Sequence, residues 1–196
     1  TNEGAGVGRK RKKEKKRVEA KFEGTPDSEL LPVFNVSWQD ASAYCEWANL
    51  RLATEAEWVL AASGPSGEGK RRRAYPWGNA FDLTRGHIAS NISSHREDGG
   101  GTPFLELKAG FDVTPEPTRI HHLGDNVSEW VVDRFQLIEE GPTLINPRGP
   151  ATGARRVVRG GHWRGGFQQT LNWYRRGELP SEIQPTIGIR VARDAD

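Results

Sequence analysis

Two stretches between Pro32 and Ser63 carry apolar residues at helical spacing. Ala41, Tyr44, Cys45 and Ala48 share one face of a helix predicted from Trp38 to about Asn49, with Ser37 as N-cap and Asp40 three residues on. Thr54 with Glu57 is a full capping box, and Trp58, Ala61 and Ala62 form the apolar face of a second helix. Gly64, Pro65 and Gly67 end it. Residues 64–125 hold no sustained period: they contain YPWGN at Tyr75–Asn79, a glycine run at Gly99–Gly101 and scattered prolines. An irregular stretch of that length is usually functional or held by a ligand or ion. Periodicity returns at Asn126–Phe135, which reads as the start of a strand. Val157–Trp163 and Thr186–Arg193 read as two further strands with a variable loop region between them, and no internal repeat is present.

The chain's 196 residues bound it to one domain plus a tail. Only 35% of residues are apolar and the mean hydropathy is −0.71, yet a domain of this size buries roughly 70% of its unfolded surface. Seven Trp and seven Phe supply much of that core. No apolar run approaches the roughly 20 residues of a membrane-spanning helix, so no membrane span is expected. The charged start is not followed by a signal-type apolar stretch. Low cysteine use fits a reducing compartment, and it fits a hot environment equally well. The single cysteine, Cys45, excludes an internal disulfide, a Cys-rich zinc site and two-cysteine redox chemistry. On the apolar face of the first helix it reads as a small hydrophobe.

Charge changes the picture at one end. Residues 1–31 hold nine Lys/Arg against six Asp/Glu, and the excess lies in the run Arg9–Arg17. The remainder is near neutral. We read residues 1–31 as a basic N-terminal arm, incomplete or disordered, and residues 32–196 as the domain. The run lacks the interleaved aromatics that single-strand binders stack on, so nucleic acid is not the expected partner.

Four segments then meet a known pattern in the right order: Pro32–Ala62, Tyr75–Asn79, Gly124–Asp133 and Arg156–Arg193. Together they resemble the formylglycine-generating enzyme (sulfatase-modifying factor) family. The resemblance implies an α+β, C-type-lectin-like fold with two helices, small antiparallel sheets and many irregular loops. The family's enzymes use copper and two cysteines a few residues after the GG of the RGG strand. The matching positions here are Gly165 and Thr170, and neither supplies the thiolate that Cu(I) favours. The five histidines do not reproduce the iron site of the related sulfoxide synthases. His162, Asp133 and Glu129 could serve as acid–base groups, but nothing in the sequence places them together, and no nucleophile elbow or phosphate-binding loop is present. The expectation is a protein that is not an enzyme and requires no cofactor.

The resemblance also implies structural calcium in two loop sites of oxygen donors. One would take Asn91 and Asp98 with the backbone oxygens of Ile92 and Gly100. The other would take Glu129, with His122 standing where the family has Asp or Asn and Asp125 standing where it has Gly. The alternative for this second site is that its residues hydrogen-bond loop backbone. The Asn-x-Ser sequons at Asn35, Asn91 and Asn126 lie in family motifs and read as structural.

A lectin-like scaffold without the chemistry remains. Its candidate ligand-binding residues are His162, Arg164, Phe167, Gln168, Gln169, Asn172, Tyr174, Arg176, Glu178 and Glu182, a mixture of aromatics, Arg and amides suited to a binding surface. Trp163, Trp173 and Tyr174 are read as core rather than contact residues, and Arg175 and Arg190 as makers of internal salt bridges or backbone hydrogen bonds. The arrangement resembles the variable proteins of diversity-generating retroelements, whose diversified residues would here fall in 158–193. That resemblance implies a display module for a ligand, expected to be a protein. Substitutions at Arg164, Gln169, Asn172, Tyr174 and Arg176 would then change binding and spare stability. The alternative is a family enzyme with other chemistry, or an inactive regulator of sulfatase maturation.

Overall fold

The structure, a computed structural model, describes residues 31–65, 71–82, 84–86, 112–138 and 144–194. The basic arm and the first calcium set (Asn91, Ile92, Asp98, Gly100) lie outside the described residues.

Both helices form where their caps and apolar spacing place them. Helix α1 spans Trp38–Ala48, with Ser37 and Asp40 completing a reciprocal capping box. It ends at Asn49, whose left-handed backbone (φ 56°) lets its N–H reach the carbonyls of Cys45 and Glu46. Strand β1 is the pair Arg51–Leu52, and α2 spans Glu55–Ser63 behind the Thr54–Glu57 box, ending at Gly64. The later strands are β2 (Ser128–Arg134), β3 (Arg156–Arg159), β4 (Arg175–Glu178), β5 (Ile187–Ile189) and β6 (Val191–Ala192).

One sheet has the order β4-β3-β2-β5, antiparallel except where β2 pairs with β5 in parallel; β1 and β6 form a separate antiparallel pair. This α+β architecture differs from the sequence expectation at three points. Val157–Trp163 stops being a strand at Arg159, because two glycines follow. Thr186–Arg193 divides into β5 and β6, which belong to different sheets and are separated by Arg190. The polar stretch Arg175–Glu178 is a strand no apolar alternation announced.

Strand β2 is buried on both faces. Consecutive residues on a strand point to opposite sides, so Trp130 and Val131 enter different cores. Trp130 packs with Ala41, Cys45, Leu52, Val158 and Ile187, under α1. Val131 packs with Trp58, Ala62, Leu123 and Val157, under α2. The indole N–H groups within this core are satisfied: Trp130 donates to the Val36 carbonyl and Trp58 to the Glu129 carboxylate. Cys45 is buried and free, as its place on the apolar face requires, and burial pushes its thiol pKa up.

Candidate functional site

The C-terminal segment leaves the sheet at Gly160–Gly161, and this exit needs both glycines. Gly160 has φ +77°, and a Cβ there would stand 2.6 Å from the Leu123 carbonyl oxygen. A Cβ on Gly161 would overlap the Gly124 carbonyl oxygen. The close approach lets Ser128 Oγ donate to the Gly160 carbonyl (2.9 Å) and the Trp163 N–H donate to the Asn126 carbonyl (2.9 Å). Asn126 is buried with a left-handed backbone (φ 61°), so its role is to turn the loop.

The segment then folds on itself. Gly165 N–H donates to the His162 carbonyl at 2.7 Å, and a single 3-10 turn runs Phe167–Thr170. Thr170 is buried and its hydroxyl donates to the Phe167 carbonyl at 2.6 Å. Asn172 is turned inward: its side-chain amide donates to the Ala62 and Arg73 carbonyls (3.1 and 3.0 Å) and its N–H to the Ala74 carbonyl (2.8 Å). This one residue ties the segment to the end of α2 and to the loop before Tyr75.

The residues expected to form a binding face therefore divide. Arg164, Phe167 and Gln168 are exposed; Gln169, Tyr174, Arg176, Glu178 and Glu182 are half-buried; His162 and Asn172 are buried. Gln169 donates to the Tyr174 hydroxyl at 3.1 Å, so these two side chains set one another. Trp173, read from sequence as core, is 63% exposed and joins the outer surface. Trp163 is half-buried, with its indole N–H donated to the Pro185 carbonyl and the Arg164 guanidinium 4.3 Å above its ring.

Sequence reasoning missed a second contribution to this surface. Phe81 is exposed and meets Phe167 edge-on at 4.9 Å between centroids; behind it, Tyr75 stacks on Trp77 at 5.1 Å and touches Phe81 at 6.1 Å. The signal was an aromatic following YPWGN in a loop rich in Gly and Pro. Such a loop has no core period, so its aromatics must find partners elsewhere.

The three acid–base candidates go to separate structural tasks. Asp133 accepts the Glu55 N–H at the start of α2, and burial pushes its pKa up. Glu129 receives Arg190 through both its Nε and Nη2 (2.7–3.0 Å) together with the Trp58 indole. Burial first, then the charges of Arg176 and Arg164, lower the His162 pKa to about 4. Its Nδ1 accepts the Arg164 N–H at 3.2 Å, which suits the neutral ring. Arg175 and Arg190 make the internal contacts expected of them. Arg175 pairs with Glu55 at 2.7 Å and donates to the Gln136 carbonyl, while Arg190 also donates to the His121 carbonyl.

The side chains of the second calcium set are engaged with protein partners. Glu129 already faces a guanidinium, Asp125 is 2.8 Å from His122 Nδ1, and among the described residues no group of three His, Cys, Asp or Glu converges. Asp112 is buried beside them with Oδ1 unpaired and Oδ2 accepting the Gly124 N–H. Burial first, and then the charge of Asp125, push its pKa well up.

The family model of the sulfatase-modifying factor enzyme 1-like domain matches residues 5–195. The chain belongs to this family. It is 35% identical over 184 residues to the formylglycine-generating enzyme of Mus musculus, covering 86% of this chain and 47% of that one. It is 32% identical over 174 residues to the inactive C-alpha-formylglycine-generating enzyme 2 of the same organism, covering 84% and 50%. The chain thus spans about half the length of the curated relatives it matches. Among solved structures, Treponema denticola variable protein 1 superimposes with a TM-score of 0.69 at 23% identity, covering 87% of this chain and 75% of that one, which shows a shared C-type-lectin-like fold.

The structure packs both Gly165 and Thr170, which the resemblance matches to the family's two cysteines, into local contacts. The space a Cβ on Gly165 would fill holds the side-chain amide of Gln169. Thr170 is sealed inside its own turn.

Proposed function

We propose that this chain is a non-catalytic binding module of the retroelement variable-protein type, presenting its C-terminal face to a protein ligand. The observation that carries this reading is the packing at Gly165 and Thr170, the positions that the resemblance matches to the family's cysteines. The Gln169 amide fills the space beside Gly165, while Arg164, Phe167, Gln168 and Trp173 from the same segment stand outside. A face of aromatic, Arg and amide side chains on a braced scaffold is suited to recognition. The fold shared with a variable protein supports it further.

The first test is genetic: sequence the 3′ end of the gene from several isolates and search downstream for a near-copy of codons 158–193. A near-copy differing at adenine positions, with changes clustered in codons 162–182, is the expected result. No copy and no clustering would remove the retroelement reading. A second reading, an inactive regulator of sulfatase maturation, is favoured by the 32% identity to the inactive mouse relative. It predicts binding to sulfatases carrying the unmodified cysteine motif. Conversion of that cysteine by this chain in the presence of copper and oxygen would overturn both readings.

A further inference from the structure

We infer that Trp173, Arg71 and Arg72 form a docking point for an acidic segment of a protein partner. The inference deepens the binding-face reading: it rests on that reading for the partner being a protein, and on the placement of these three residues for its acidity.

The sequence from Gly64 to Phe81 holds Lys70 and three arginines against one carboxylate, Glu68. The structure gives the arginines different tasks. Arg73 is engaged at the end of α2: its Nη2 donates to the Ala61 and Ala62 carbonyls (3.3 and 3.0 Å), and its guanidinium lies in the space a Cβ on Gly64 would need. Its main chain is held as well. The Arg73 N–H donates to the Ser63 carbonyl at 2.9 Å, and its carbonyl accepts the Asn172 side-chain amide at 3.0 Å. Ala74 is held in the same way, donating its N–H to Asn79 Oδ1 (3.0 Å) and accepting the Asn172 N–H at its carbonyl (2.8 Å). Arg73, Ala74 and Asn172 thus form one hydrogen-bonded junction between two segments a hundred positions apart. Arg72 and Trp173 are the next residues on its two sides, so the junction brings them together at the surface. Arg71, Arg72 and Trp173 are all exposed, Trp173 to 63%. Among the described residues no carboxylate pairs with Arg71 or Arg72.

The ring is presented on a fixed base. The turn that carries it is closed by the Tyr174 N–H on the Leu171 carbonyl (2.8 Å), and the Tyr174 carbonyl accepts Arg159 Nη1 at 2.8 Å. A backbone ordered before the partner arrives lowers the entropy cost of binding. Trp and Arg are the side chains that most often dominate binding energy. Each free guanidinium offers a fork of donors matched to a carboxylate, and the indole offers its face to an apolar side chain beside that carboxylate. A short segment mixing Asp or Glu with an apolar residue satisfies all three. A nucleic-acid strand is met instead by a groove of cations with successive stacking rings. Here Trp77 is stacked on the buried Tyr75, which leaves Trp173 as the ring beside Arg71 and Arg72.

The experiment is an NMR titration of the full chain at constant ionic strength, following the indole N–H signals, with Trp173 assigned through W173F. The probes are the acetylated, amidated pentapeptides Glu-Glu-Leu-Glu-Glu, Gln-Gln-Leu-Gln-Gln and Lys-Lys-Leu-Lys-Lys, and an oligothymidylate of the same length. The expected result is a saturable shift of the Trp173 signal with the acidic peptide, at higher affinity than with the other three probes. That affinity should fall about fivefold or more in R71A/R72A, the loss typical of truncating dominant contacts. It should hold in R148A/R193A, which removes the same charge at two exposed arginines elsewhere. The basic run Arg9–Arg17 is present in every variant, so its share of peptide binding cancels in this comparison. Three results would overturn the proposal: no saturable shift at Trp173, an equal or tighter response to any of the other probes, or no greater loss in R71A/R72A than in R148A/R193A. A tighter response to the oligothymidylate would give the surface to nucleic acid. Near-ultraviolet circular dichroism reports whether R71A/R72A folds; if it does not, the single variants R71A and R72A are titrated in its place. Failure here together with an adenine-clustered near-copy would leave the display reading standing with a different ligand chemistry. Success without such a copy would keep the acidic-segment site and remove the retroelement reading.

Discussion

His162 is a buried base among cations, and that sets a pH dependence. Its folded pKa of about 4 lies below the ordinary 6.5, so between those values the unfolded chain holds more protons than the folded one. Stability therefore rises with pH through this window and is lost as pH falls from about 6.5 toward 4. The whole shift corresponds to about 3 kcal/mol. Urea unfolding at pH 7 and pH 4.5 should show wild type losing more stability than H162N, because protonation also removes the Nδ1 acceptor for the Arg164 N–H. Equal losses would mean His162 is not held neutral. Glu129 is the opposite case, a carboxylate with its partners built in. Substitution E129Q leaves an acceptor for Trp58 but takes the charge from Arg190. Breaking a fully buried pair costs about 3–5 kcal/mol, and because a third of Arg190 remains in water we expect about 2 kcal/mol, read as a fall in urea midpoint. At this scale the sequence showed which residues carry chemistry but not their partners. Glu129 and Arg190 lie 61 positions apart, and no local pattern joins them.

The helices were the most legible elements because their signals are local. A capping box and a stripe of small apolar residues lie within one dozen residues, and both boxes form as read. Strand β4 was not legible. Its residues Arg175–Glu178 are all half-buried, Arg175 reaches inward to Glu55, and its Gly177 lies against the Phe135 ring, so it carries no apolar alternation. Strands β5 and β6 were merged because a single run of alternating residues hides the point where the chain changes sheets. Two substitutions separate a local device from a tertiary one. T54A removes one cap and should cost about 1 kcal/mol by denaturant unfolding. G161A forces a methyl onto the Gly124 backbone, which has no flexible end to yield, and should cost several times more. Similar costs for both would mean that the loop at Gly124 shifts easily, and the RGG exit would lose its explanation.

At the scale of the whole molecule, scaffold and surface are interleaved within one segment rather than assigned to separate domains. Asn172 braces; its neighbour Trp173 is exposed. This alternation explains why the binding-face expectation drawn from composition was partly misplaced: polar residues that satisfy backbone carbonyls look the same in sequence as polar residues that await a ligand. It also revises the stability expectation for the segment. An alanine scan over residues 162–182 should fall into two classes. R164A, Q168A and W173A should each change stability by under about 0.5 kcal/mol, since they are exposed. N172A should cost about 2 kcal/mol, because the Arg73 carbonyl loses its side-chain donor and the buried Ala62 carbonyl keeps only the Arg73 guanidinium. F81A should resemble the first class, although it removes the ring that supports Phe167. If every position in the scan proved costly, the segment would be core and no display face would exist. If none did, the bracing by Asn172 would be incidental, and the face could not hold the fixed geometry that selective recognition needs.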